Sequence, residues 1–119
     1  LSGTIKGTDD LIEGDRRLAH PRFAAENIEE NNKKVAVIEK IAESRGFKPA
    51  QVAIAWVLAQ DEMIVPIPGT KHRKYLDENI RAVDIALMDD QIKQLSDAFA
   101  VGDTAGERYP AGQMKKLGL

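Results

Sequence analysis

Cysteine is absent from these 119 residues. Disulfides and thiolate metal sites are thereby excluded, and the composition fits a reducing, cytoplasmic setting. Long apolar runs are missing as well: no stretch is long enough to span a bilayer, and no signal peptide stands at the start. Nor does charge of one sign dominate. With 17 Lys and Arg against 19 Asp and Glu, the net charge is -2, so the molecule as a whole has no electrostatic pull toward nucleic acid or an anionic membrane. Internal repeats and low-complexity tracts are lacking. The chain opens on Leu1 rather than methionine, which is expected of a processed chain or a piece of a larger protein. What is there is ordinary globular material, 43% hydrophobic and 30% charged, enough for one small domain with a modest core.

Residues 1–25, "LSGTIKGTDDLIEGDRRLAHPRFAA", show no sustained period and read as a long surface loop with one helical turn after Thr8-Asp9-Asp10. Loops of this length often line a site. From Ile28 to Arg45 the apolar residues Val35, Ile38, Ile41 and Ala42 share one helical stripe, and Gly46 is placed as the stop. Pro49 sits at a first helical position, opening "PAQVAIAWVLAQ", a helix apolar nearly all round, with Trp56 in the core. Lys48 before it and Met88 before the last helix offer no capping oxygen, a loss of about 1 kcal/mol each. "MIVPIP", Met63 to Pro68, is too short for a helix and apolar on both faces, the pattern of a strand buried in a parallel sheet. Thr70 can cap a helix that begins at Lys71 and runs through Ile80. The last helix is predicted from Asp89, with Ile92, Leu95 and Phe99 buried, and an irregular tail closes the chain over residues 104–119. Residues 26–103 thus read helix, helix, strand, helix, helix. A single strand makes no sheet, so the fold class expected is part of a larger α/β protein.

The junction "IVPIPGTKHRKYLDEN", Ile64 to Asn79, carries the clearest chemistry. Free N–H groups and partial positive charge at a helix start suit a phosphate. Gly69 removes the side chain that would hold a ligand off the backbone. Lys71 and Arg73 add full charges, and Arg can grip phosphate oxygens bidentately. A solvated first turn is the bland alternative, but basic residues there oppose the helix dipole. Lys74 is read as facing water. His72 is an exposed histidine whose contact with phosphate, when protonated, stays open. Tyr75, one turn after Lys71, either reaches the same pocket or packs with its hydroxyl in water. His20 before Pro21 is a turn residue.

"PAQVAIAWVLAQ" followed by "IVPIPGTKHRKYLDENIRAVDIAL", with "DLIEGDRRLAHPRF" and "GERYP", resembles the C-terminal part of the aldo-keto reductases. The spacing from IPGTK to the L-x-E-N that follows it is the most specific element. The resemblance implies the C-terminal part of a (β/α)8 TIM barrel, with Met63 to Pro66 its eighth strand and residues 1–25 a loop after the seventh. It implies NADP as cofactor, held through Gly69, Thr70, Lys71, Arg73, Tyr75, Glu78 and Asn79. Glu78 would accept from the adenine amine and Asn79 would read a ring nitrogen. An adenosine 2′-phosphate suits the charge of Lys71 and Arg73, because NAD lacks that group. The family's Asp, Tyr, Lys and His set matches no position here, so no catalytic residue is assigned, and Tyr109 and Lys115 in the tail do not replace it. The intact enzyme would take a small-molecule carbonyl substrate and no metal, nucleic acid or membrane. Residues Asp9 to Phe23 and Thr104 to Met114 would border its mouth.

Two other classes compete. "VIEKIAESRGFKPAQVAIAWVLA" is spaced like a helix-turn-helix, but a recognition helix exposes polar residues to base edges, and Val52, Ile54, Trp56, Val57 and Leu58 leave little free face. A non-catalytic nucleotide-binding or regulatory subunit of the same family shares every residue of the phosphate site, and a Tyr and Lys upstream would decide against it. The chain alone is expected to lack reductase activity and, with a bare strand and the apolar face of the second helix uncovered, to associate.

Overall fold

The computed structural model describes residues 1–117, and every regular element among them is helical. Helix α1 spans Ala25–Arg45, α2 Pro49–Leu58, α3 Arg73–Ile80, α4 Asp89–Ala98 and α5 Ala111–Met114, with 3-10 turns at Thr8–Asp10, Arg16–Ala19, Pro21–Phe23 and Arg81–Asp84. The stripe on α1 faces inward as its spacing predicts: Val35, Ile38, Ile41 and Ala42 are all buried. Its end is a left-handed turn at Gly46, φ 70°, where Phe47 N–H donates back to Ala42 O at 2.9 Å. That bond, and the left-handed residue before it, make a Schellman cap. Phe47 also packs against the core.

The core is where α1, α2 and α4 meet. Ile38, Ile41, Ala42, Val52, Ala53 and Leu95 form one buried cluster, with Trp56, Leu87 and Phe99 packed around it. Val52, expected to stand uncovered, is fully buried by the chain's own residues. Trp56 is half-buried, its indole N–H donating to Ser96 Oγ at 3.0 Å and its ring tilted on Phe99 at 5.7 Å. An indole at a core margin needs such a partner. The missing caps are partly made good by the third residue of each helix. Gln51 Oε1 accepts from Lys48 N–H at 3.0 Å, and Gln91 Oε1 from Met88 N–H at 3.1 Å; both glutamines are buried.

The expected buried strand is not there. Met63 to Pro68 carries no strand, and its side chains face solvent: Val65 is 81% and Ile67 92% exposed. Strand hydrogen bonds run between segments, and no second segment among the described residues pairs with this one. Pro66 and Pro68 further withdraw two N–H groups. Its start is anchored by a turn, Ile64 N–H to Asp61 O at 3.1 Å, and by Met63 N–H to Asp61 Oδ1 at 2.8 Å. The α/β reading with one confident strand is therefore corrected to a helical structure over the described residues. The third helix also starts later than expected. Its N-cap is His72 rather than Thr70, and Thr70 Oγ1 instead accepts from His72 N–H at 3.2 Å, a local turn of the kind Thr favours.

This distribution of burial makes a direct contrast. Ile38→Ala should lower unfolding free energy by about 2–5 kcal/mol, whereas Ile67→Ser should stay within about 0.5 kcal/mol. Urea titrations of the two variants followed by circular dichroism check the difference.

Candidate functional site

None of the eight residues of α3 is buried, so apolar packing alone does not fix its position. A hydrogen bond from α2 helps to do so. Gln51, whose Oε1 takes Lys48 N–H, sends its Nε2 to Glu78 O at 2.9 Å. One buried amide thereby ties the entry of α2 to the last turn of α3. The Arg81–Asp84 turn that follows packs on α2 through buried Ala82.

Between these elements lies a cleft of about 610 Å³. Gly69, Thr70, Lys74, Tyr75, Glu78 and Asn79 form one side, Lys48 and Pro49 the entry of α2, and Ser2, Thr4 and Arg17 of the first loop the other margin. Five of the seven residues singled out in the sequence thus come together, and Glu78 and Asn79 are its part-buried members on α3. Lys71 and Arg73 do not line it; both are exposed beside it. Lys74, expected to face water, does line it. Lys48 and Arg17 were not legible as members, because 22 to 57 positions of chain separate them from Thr70–Lys74 and only the fold closes that distance. An added Cβ at Gly69 would meet nothing within 4 Å. The chain's own packing does not require this glycine, whose bare backbone borders the cleft. At the start of α3, His72 stands edge-on to Tyr75, ring centroids 5.6 Å apart, so the histidine is engaged by an aromatic neighbour.

Arg17 enters the cleft margin already paired. Its Nε and Nη2 donate to the Asp15 carboxylate at 3.0 and 2.6 Å, and its own N–H donates to Asp15 Oδ1 at 2.9 Å. The guanidinium first, and the backbone donor second, hold the Asp15 carboxyl down at about 2. The pair is exposed to water on the arginine side, which keeps its contribution to stability small.

On the far side of α1 the first loop and the tail meet. His20 stands edge-on to Tyr109 at 5.7 Å, and Arg108 lies over the same tyrosine ring at 5.5 Å. Tyr109 is thus occupied in joining two segments. Among the described residues no group of three or more His, Asp or Glu gathers as metal ligands would, and no helix is long and apolar enough to cross a membrane.

The pattern of the aldo/keto reductase family matches residues 2–99. The chain belongs to that family. Among its relatives, the aldo-keto reductase yakc [NADP(+)] of Schizosaccharomyces pombe is 43% identical over 117 residues, 98% of this chain and 34% of that protein. The probable aldo-keto reductase 1 of Glycine max is 46% identical over 94 residues, 79% of this chain and 27% of its own. The aldo-keto reductase str7 of Strobilurus tenacellus is 36% identical over 108 residues, 91% and 32% respectively. No solved structure matches. This reductase-family chain spans about a third of the length of the curated relatives it matches.

Two measurements bear on this geometry. Gln51→Met should leave Lys48 N–H and Glu78 O without their partner and speed amide exchange across α3, while exchange in the middle of α1 stays as it was; mass-resolved exchange reads both. In a carbon-detected NMR titration Asp15 should have its midpoint at about 2. Because that value is depressed, the Asp15–Arg17 interaction is fully present above the ordinary carboxylate range and is lost as pH falls through about 2. Arg17→Met should return the midpoint toward the ordinary range.

Proposed function

We propose that this chain supplies the surface that holds the adenosine 2′-phosphate end of NADP in an enzyme that reduces aldehydes or ketones. The observation that carries the reading is the cleft beside α3, where Gly69, Thr70, Tyr75, Glu78 and Asn79 converge with Lys48, Lys74 and Arg17 at its edges. The name of the Schizosaccharomyces pombe relative, which includes NADP(+), agrees with it. The residues fit the group. Glu78 and Asn79 supply an acceptor and an amide for the adenine edge. The exposed cations Lys71 and Arg73 flank the first turn of α3, where a 2′-phosphate would draw both. Bound NADPH supplies a hydride. The residues of this chain bind and orient its adenosine end and take no part in proton transfer, which falls to groups elsewhere in the complete polypeptide.

The first loop and the tail, in the same reading, border the carbonyl mouth. The first loop holds only 3-10 turns and the tail only the short α5, and Asn31 of α1 hydrogen-bonds to both. Loops placed by a rigid element commonly set substrate choice. A nucleotide-binding subunit without turnover would share the cleft, and carbonyl-dependent oxidation of NADPH by the complete protein separates the two.

Lys71→Ala in the complete polypeptide should weaken NADPH far more than NADH. The loss of one charge-assisted contact to phosphate is about 1.5–3 kcal/mol, roughly a 10- to 150-fold rise in Kd. Fluorescence titration with each cofactor measures it, and equal weakening of both would remove the 2′-phosphate from this site.

A further inference from the structure

Helix α1 carries a second stripe, polar rather than apolar, that the nucleotide cleft does not use. Asn27, Asn31 and Lys34 stand at helical spacing on one face. Asn27 Nδ2 donates to Pro21 O at 2.8 Å, and Lys34 Nζ donates to Ala98 O at 3.1 Å and pairs with Asp103. Asn31 between them has every polar group engaged. Its Nδ2 donates to Arg22 O at 3.1 Å and to Ala105 O at 2.9 Å, while its Oδ1 accepts from Ala105 N–H at 3.0 Å. Two carbonyls on one side and an N–H on the other fix the orientation of the amide. Besides Asn31, the two segments are held to α1 through Asn27 at Pro21 and Lys34 at Asp103, and to each other by Arg22 Nε donating to Gly106 O at 3.4 Å. No residue of the Arg16–Ala19 or Pro21–Phe23 turns is buried, and none from Thr104 to Tyr109 is.

Gly106 seals the same junction. Its φ is +81°, and a Cβ there would stand 2.8 Å from the carbonyl carbon and oxygen of Pro21 and 2.7 Å from Asn27 Nδ2. Only glycine allows the tail to lie this close to the first loop. The tail that Asn31 grips follows the residues 2–99 that the family pattern matches, and loops held by a rigid helix suit selection among substrates.

We propose that Asn31 is a positioning residue for substrate selection: it clasps the first loop to the tail so that the two move as one wall of the carbonyl mouth. This rests on the reading of the preceding subsection, in which those segments border that mouth. None of the clasp's own residues lines the cleft beside α3, whose margin on the first loop is formed by Ser2, Thr4 and Arg17.

The test uses the complete polypeptide with Asn31→Asp and, independently, Gly106→Ala. Asn31→Asp keeps the shape and the acceptor for Ala105 N–H but replaces two donated hydrogen bonds with charge facing two carbonyls. In either variant amide exchange should quicken at least about tenfold in residues 20–23 and 104–108 together. The ratio of kcat/KM for a short aliphatic aldehyde to that for a bulky aromatic one should shift about tenfold, mostly through KM, with the Kd of NADPH within about twofold of wild type. Exchange that quickens in only one segment overturns the clasp. Joint quickening with an unchanged substrate ratio, or with an equal fall in kcat for both aldehydes, overturns its role in selection. A wild-type protein that binds NADPH yet oxidises it with no carbonyl overturns the reductase reading and the selection built on it, and the exchange result still decides the clasp. If Asn31→Asp fails to fold, Gly106→Ala carries the same outcomes without altering α1.

Discussion

The burial of Ile38 from α1 in one cluster with Val52 from α2 and Leu95 from α4 is the constraint on which the other parts depend. These are the largest fully buried side chains among the described residues. They lock three helices at one place, and the cluster is small, so each buried group matters: close packing leaves no slack to absorb a lost methylene. With α1 held along this line, its orientation about its own axis is settled. The polar residues one turn off the stripe then have no choice about which way they face. Asn27, Asn31 and Lys34 meet the first loop, the tail and the end of α4 because Ile38 is inward.

The same core fixes the entry of α2, and through it the cleft. A buried amide at Gln51 answers two backbone groups at once, one on its own helix and one on α3. At the other end of the core Gln91 does a comparable task, accepting from Met88 N–H and from Arg45 Nη1 at 3.1 Å, while Arg45 also reaches Ala86 O at 2.7 Å. Buried polar groups are costly when unpaired and specific when satisfied. Two glutamines therefore set the spacing of α3 and α4 against a core too small to set it by shape alone. The cleft beside α3 and the loop-and-tail junction are built by separate bonds, from Gln51 of α2 and from Asn31 of α1, and the first loop borders both.

Local chemistry made a good part of this legible in the sequence. The apolar period of α1, the glycine that ends it, the proline that opens α2 and the start of α4 at Asp89 all read correctly, because each depends on backbone preferences within a few residues. So did the family, through the residues from IPGTK to the Glu78-Asn79 pair and their neighbours. Met63 to Pro68 read wrongly for the complementary reason. Its apolar pattern tells what the segment prefers to touch, but a strand exists only when another segment supplies hydrogen bonds, and no local pattern reports that. The start of α3 slipped by two residues because the backbone is still extended at His72, φ -117° and ψ 130°, which makes His72 the N-cap.

What only the tertiary structure decided is which distant residues share a place. Lys48 and Arg17 reach the margin of the cleft that holds Tyr75 and Glu78, and Gln51 spans from Lys48 to Glu78, because α2 packs against α3. Asn31 touches Ala105 across 74 positions of sequence. Glutamine and asparagine carry no periodicity and no propensity that would mark them in advance. Their partners are backbone groups, which every residue possesses, so the sequence holds no complementary letter to search for. Short-range rules therefore determined the helices and their ends. The long-range hydrogen bonds, which need two segments brought to within about 3 Å of one another, were left for the packed core to choose.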